Sequence, residues 1–192
     1  MKISDIVEAR FRSSLDVKQK SLALLKEDLA KAAEIMLASL KSGGTMLTAG
    51  NGGSAADAQH MAAELVGRFL MERPGIPAVA LTANSSTITC LVNDYPPEML
   101  FSRQVEACGR AGDVLIGFST SGNSKNVVEA MKTARSMDMK TIAVTGEGGG
   151  EMGRQADVTL AVPSRETPRI QEVHVLILHV LCEIIETGMY GR

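Results

Sequence analysis

Five short apolar runs, separated by stretches that can form helices, constrain this chain most. The runs are 45–49, 78–82, 114–118, 141–145 and 158–162, and the helix-compatible stretches are 55–69, 86–92, 98–108 and 125–137. A strand buried on both faces is apolar throughout instead of alternating, and strands that alternate with helices form a parallel sheet covered on both sides. The pattern predicts an α/β fold, a three-layer αβα sandwich around a five-stranded parallel sheet. Residues 5–41 precede the first run and contain no Gly or Pro. There Leu22, Leu25, Leu29, Ala33, Met36 and Leu40 recur at three- and four-residue spacing, which predicts two amphipathic helices ended by Gly43-Gly44. The chain closes with 168–187, a long helix whose Ile, Val and Leu residues surround most of its circumference. Such a helix is buried, and at this end of the chain it points to a subunit interface. With 192 residues the expectation is one domain over 1–192, a helical extension over 1–41 leading into an α/β core over 45–192.

Composition narrows the function. Net charge is −2 and no Lys/Arg run is present, which argues against a nucleic-acid partner. Aromatic residues make up 3% of the chain, so stacking on bases or sugars is not its main binding device. The segment Met1-Lys2-Ile3-Ser4-Asp5 lacks the apolar core of a signal peptide, and the most apolar stretch, 173–181, is too short to span a bilayer. Cys90, Cys108 and Cys182 fit no paired spacing and read as reduced, buried thiols of a cytoplasmic protein with no membrane partner.

Two loops at the ends of apolar runs carry the binding signal. They are Gly50-Asn51-Gly52-Gly53-Ser54 and Ser119-Thr120-Ser121-Gly122-Asn123-Ser124. Loops of this kind present backbone N–H groups, small hydroxyls and a helix N-terminus to an anion. A ligand-free turn would also account for either one alone. Two of them at the carboxyl ends of strands in one open sheet favour a ligand site. GxGxxG is absent, so a dinucleotide site is not supported. The second loop has no charged residue, which suggests a phosphorylated small molecule held by neutral donors.

His60 and Glu64 lie four residues apart on the stretch leaving the first loop and so share a helix face. At that spacing they can ligate a metal, act as an acid/base pair, or form an ion pair. Arg68 continues the same spacing and could reach an anion or pair with Glu64. Gln171, His174 and His179 are polar residues within the apolar closing stretch. His174 reads best as a hydrogen-bonded core histidine. Gln171 and His179 are separated by about 80° around a helix, so they converge only on a point beside it. With His60 and Glu64 they would form a mixed N/O site suited to a borderline metal such as zinc. Asn93-Asp94 precedes Tyr95-Pro96-Pro97 and reads equally as turn chemistry.

These motifs together resemble the sugar isomerase (SIS) domain family, and within it the phosphoheptose isomerases. The likeness rests on Gly50 to Ser54, Asp57 to His60 leading to Glu64, Gly67-Arg68, Asn93-Asp94, Ser119 to Ser124, and Arg169-Ile170-Gln171-Glu172 leading to His174 and His179. It implies a homotetramer with one zinc per subunit, held by His60, Glu64, Gln171 and His179. It implies substrate contacts from Asn51, Gly52, Gly53, Glu64, Arg68, Asn93, Asp94, Ser119, Thr120, Ser121, Ser124 and Gln171. Glu64 is then the catalytic base and His179 the acid, and the metal and base readings compete for Glu64. The implied reaction is the aldose–ketose isomerisation of sedoheptulose 7-phosphate to D-glycero-D-manno-heptose 7-phosphate, the first step towards ADP-heptose of lipopolysaccharide. At one variable position some members have an acidic residue before the Arg, where Pro168 stands here. A related SIS tetramer binds a replication initiator and lacks the acid/base residues. Glu64 and His179 favour the enzyme over that scaffold and over a sugar-phosphate sensor.

Overall fold

A computed structural model describes residues 2–191. Its elements run α1 (Ile3–Lys41), β1 (Met46–Gly50), α2 (Gly53–Val66), β2 (Ala78–Ala80), α3 (Ser85–Asp94), a 3-10 turn (Pro97–Met99) and α4 (Ser102–Cys108). They continue through β3 (Val114–Ser119), α5 (Lys125–Ser136), β4 (Lys140–Thr145), α6 (Gly150–Gln155), β5 (Val158–Ala161) and α7 (Thr167–Tyr190). All five strands are parallel, in the order β2-β1-β3-β4-β5. The αβα sandwich expected from the alternation is the fold observed.

Side-chain alternation sorts the sheet between two cores. Met46, Val114, Ile116, Phe118, Ile142 and Val144 face α1, α2 and α7. Leu47, Ala49, Leu115 and Ala143 face α4, α5 and α6. Successive strand residues point to opposite faces, so strands fully buried on both sides feed both cores. Their burial makes them continuous apolar runs rather than an alternating pattern.

The N-terminal region corrects the expectation of two helices: it is one helix of 39 residues. No Gly or Pro interrupts 5–41, and nothing else there supplies a break. Its buried residues begin at Val17, so the first turns stand clear of the body with Phe11 70% exposed. Arg169 at the start of α7 donates from Nη1 to the carbonyl of Arg10 at 2.8 Å and so holds this projecting part. A further difference is α6, six residues entered through Gly149 at φ 74°.

The 24-residue α7 is long and apolar enough, by length and composition alone, to cross a bilayer. Its buried His174 and Glu186 are nevertheless bonded inside the protein, and it packs in the core between sheet and α1.

The chain leaves β1 to form β2 on one side and returns to place β3 on the other. The carboxyl ends of β1 and β3 therefore diverge, opening the crevice where open α/β sheets bind ligands. Gly50 lies opposite Phe118 in the β1–β3 register, so the first loop starts beside the second.

Candidate active site

The first loop ends in a close approach. Gly52 enters α2 with φ 56°, a conformation that favours glycine. A β-carbon on Gly53 would run into the Gln171 carboxamide, which α7 delivers to the start of α2. Thr48 Oγ1 donates to the Ala58 carbonyl at 2.8 Å, tying the next turn of α2 to β1.

Further along α2, His60 and Glu64 face His179 of α7. His60 Nε2 is 3.0 Å from Glu64 Oε1 and 3.3 Å from His179 Nε2. Ligand atoms of all three residues lie within 4.8 Å of one another. One ring nitrogen can carry at most one proton, so His60 Nε2 cannot donate to both neighbours at once. A cation would be accepted by all three, and two imidazole nitrogens with a carboxylate oxygen are a donor set that suits zinc. The His60 and Glu64 side chains are 39% and 26% exposed, so a ligand can reach them. Cys182, on the same helix as His179, is a poor candidate for a further ligand. Burial, with Glu64 next in effect, pushes its thiol up to about 12.

The second loop is held by its own hydroxyls. Ser119 Oγ lies 2.9 Å from Ser124 Oγ and 3.4 Å from Ser121 Oγ, and the Asn123 N–H donates to Ser121 Oγ at 3.1 Å. Ser124 precedes α5 without capping it through its side chain. Thr120 and Ser121 line a cavity of about 320 Å³ with Glu147, Ser164, Arg165 and Ile170. Asn51 of the first loop pairs reciprocally with Asn126, each amide donating to the other at 2.9 Å, and this pair ties the first loop to the start of α5, which follows the second.

Other candidates lie elsewhere. α2 ends at Val66, so Arg68 does not continue the His60–Glu64 face; its nearest acid is Glu72, at 3.9 Å, and not Glu64. Asn93 Nδ2 donates to Asp94 Oδ1 at 2.7 Å at the end of α3, a helix with no buried residue. Cys90 and Cys108 are exposed rather than buried, because α3 and the end of α4 lie at the surface; Cys182 is buried as expected.

His174 is the core histidine anticipated, with Nε2 3.1 Å from the Thr145 carbonyl. Its Nδ1 faces Asp57 Oδ2 at 3.9 Å, and neither atom has a hydrogen-bond partner among the described residues. Burial lowers His174 to about 4 despite that carbonyl, and burial raises Asp57 to about 6 against the opposing effect of His60.

The sequence reading passed over Asn126, Phe69, Arg73 and Glu186. The Phe69 ring stacks on His179 with centroids 5.4 Å apart. Arg73 and Glu186 form an ion pair with side chains 1% exposed. Glu186 is one of three glutamates in α7, with Glu172 and Glu183, and nothing in the sequence singled it out or named its partner.

A switch-point crevice flanked by two Gly/Ser loops is the binding region of an open α/β sheet, and residues 11–146 match the family model of the SIS domain, so the chain is a SIS-domain protein. More narrowly, the chain belongs to the phosphoheptose isomerase family. It is 52% identical to the phosphoheptose isomerase of Aliarcobacter butzleri over 170 residues, 88% of this chain and 90% of that one. The structure of phosphoheptose isomerase GmhA from Neisseria gonorrhoeae matches with TM-score 0.92 and 47% identity, covering 97% of this chain and all (100%) of that one. A phosphoheptose isomerase from Francisella tularensis matches with TM-score 0.94 and 40% identity, at 97% and 100% coverage.

Proposed function

We propose that this protein isomerises sedoheptulose 7-phosphate to D-glycero-D-manno-heptose 7-phosphate in the cytoplasm, opening the route to ADP-heptose. The observation that carries the reading is the convergence of His60 and Glu64, on the helix that leaves the first loop, with His179 of α7, in a chain whose relatives are phosphoheptose isomerases. Glu64 and His179, which the replication-initiator scaffold lacks, favour the enzyme over it.

Isomerisation moves a hydrogen between C1 and C2 of the sugar. Glu64 takes a proton from C1, the C–H electrons form the C1–C2 double bond, and the C2 carbonyl oxygen takes a proton from Nδ1 of His179, since Nε2 faces His60 in the candidate metal set. The enediol then loses its O1 proton to His179 and receives the Glu64 proton at C2, leaving an aldehyde. Ser119, Thr120, Ser121 and Ser124 hold the phosphate with neutral donors, and Asn51, Gly52, Gly53, Asn93, Asp94 and Gln171 hold the sugar. Arg68 keeps a place only as an outer contact, since its side chain is 61% exposed. His60, Glu64, Gln171 and His179 would hold one zinc. When bound, a Lewis acid there polarises the sugar's carbonyl or hydroxyl oxygen. Glu64 Oε1 faces His60, leaving its second oxygen available for the proton.

The assembly belongs to the same proposal. α1 and α7 flank an apolar cavity of about 820 Å³, with Leu15, Leu22 and Leu176 on its walls and Leu22 69% exposed. An exposed apolar surface of that kind is covered by a partner, and a homotetramer supplies one. Light scattering that reports a monomer at micromolar concentration overturns this part.

The direct test is turnover of sedoheptulose 7-phosphate with and without chelator, alongside metal analysis. Wild type should convert the sugar and carry about one zinc per chain. Metal content should fall in His60→Ala and in His179→Ala. Unchanged content in both variants removes the mixed site.

A further inference from the structure

A histidine that ligates metal or moves protons is usually oriented by a hydrogen bond to its other ring nitrogen. His179 has none among the described residues: its hydrogen-bond contact is through Nε2, toward His60. Its ring is instead confined by aromatic contacts. His60 meets it edge-on at 4.9 Å between centroids with planes at 85°, and Phe69 lies across it at 5.4 Å with planes at 30°.

Phe69 is presented to His179 by a buried clasp. Glu186 follows His179 by seven residues, two helical turns, and so lies on nearly the same face of α7. Its carboxylate accepts the backbone N–H groups of Phe69 at 2.9 Å, Leu70 at 2.6 Å and Met71 at 3.0 Å. It also accepts Arg73 Nε at 3.0 Å. Arg73 in turn donates to the carbonyls of Leu65 at 2.6 Å, Gly67 at 3.1 Å and Glu64 at 2.8 Å. The clasp therefore fixes the segment after α2 to α7, and it holds the backbone of Glu64 as well. An irregular segment so fully bonded does more than connect α2 to β2: it sets one aromatic ring against one imidazole.

We propose that Phe69 is a positioning residue for His179, setting the plane of its imidazole in place of the hydrogen bond such a histidine ordinarily makes. This rests on the isomerase reading for its kinetic consequence, but the orientation of the ring can be measured without it.

The test compares Phe69→Leu, which keeps apolar bulk and loses the ring, with Phe69→Tyr, which keeps the ring. Loss of an outer group that orients such a histidine costs about 10–100-fold in activity, so Phe69→Leu should lower kcat by about tenfold or more with KM little changed. Phe69→Tyr should restore most of it. In the full-length protein, the His179 ring C–H resonance, assigned by its loss in His179→Gln, should move downfield in Phe69→Leu as ring-current shielding is lost. It should return in Phe69→Tyr. A wild-type kcat with an unmoved His179 resonance in Phe69→Leu overturns the proposal. So does equal impairment of both variants, which would mark Phe69 as packing alone. A wild-type protein that fails to turn over the sugar overturns the isomerase reading, and nuclear Overhauser contacts between the His179 and His60 rings, altered in Phe69→Leu and kept in Phe69→Tyr if Phe69 sets the imidazole plane, then decide the role of Phe69 separately.

Discussion

The two strand-end loops look alike in sequence and use their polar atoms in opposite ways. Ser119 to Ser124 is self-contained: its hydroxyls bond one another, and they lie close together before any ligand arrives. Gly50 to Ser54 offers space, backbone and the Asn51 amide, which is paired outside the loop with Asn126. Its chemistry is brought by α7, which sets Gln171 against Gly53 and His179 against His60. A loop built from local hydroxyls suits a task that every phosphosugar shares, holding a phosphate. A site assembled from two helices more than a hundred residues apart suits the step that must be geometrically specific. The first should govern affinity and the second turnover.

The sharpest way to break that division is at Glu64. Gln has nearly the shape of Glu but takes no proton at neutral pH. General acid–base groups contribute about 10²–10⁴ in rate, so Glu64→Gln should lower kcat by about that factor with a smaller effect on KM. Exchange of the C1 hydrogen of the sugar into deuterated water should stop. Metal content measured on the same sample separates loss of the base from loss of a ligand. If exchange persists at the wild-type rate, the base role moves to His179.

The complementary variant is the double substitution Ser121→Ala/Ser124→Ala. A lost hydrogen bond to a charged group costs about 1.5–3 kcal/mol, and neighbouring hydroxyls that share one ligand do not add fully. KM should rise by about 10–100-fold while kcat changes less and the fold persists. An unchanged KM would take this loop out of the substrate site. A fall in kcat as large as that in Glu64→Gln would erase the distinction between the loops.

The same contrast explains what could be read before the fold was known. Strands placed from apolar runs fall within two residues of those observed, because a strand buried on both faces must be apolar throughout. The hydroxyl loop was legible for a related reason: its partners are its own neighbours. His60, Glu64 and His179 could be suspected as polar residues at helical spacing, but only the packing of α2 on α7 brings His179 to His60. Phe69, Arg73 and Glu186 carried almost no signal. An Arg before a Pro and an acid near the end of an apolar helix are unremarkable until a buried segment connects them. Burial pushes the Glu186 carboxyl upward, yet the N–H groups of Phe69, Leu70 and Met71, with Arg73, hold it below its ordinary range. Helix α1 misled because periodicity reports a face and says nothing of where a helix breaks.

The smallest effect is expected behind the site, where Asp57 and His174 face each other with titration windows that nearly coincide. Asp57 ordinarily titrates at 3.8 and is raised to about 6, chiefly by burial. Between those values the native state holds a proton that the unfolded chain has lost, so this group makes stability fall as pH rises, and the loss is complete above about 6. His174 ordinarily titrates at 6.5 and is lowered to about 4 by burial. Between those values the unfolded chain holds the extra proton, so this group makes stability rise with pH. The two slopes oppose each other and largely cancel in the wild-type protein. Asp57→Asn removes the falling contribution and leaves the rising one. Relative to wild type, the variant should gain on the order of 2 kcal/mol of unfolding free energy between pH 4 and pH 7. Urea unfolding at both pH values, with chelator present so that bound metal does not enter the comparison, measures that difference. A difference between variant and wild type that stays constant with pH would show that Asp57 keeps an ordinary carboxylate's affinity for its proton in the folded protein.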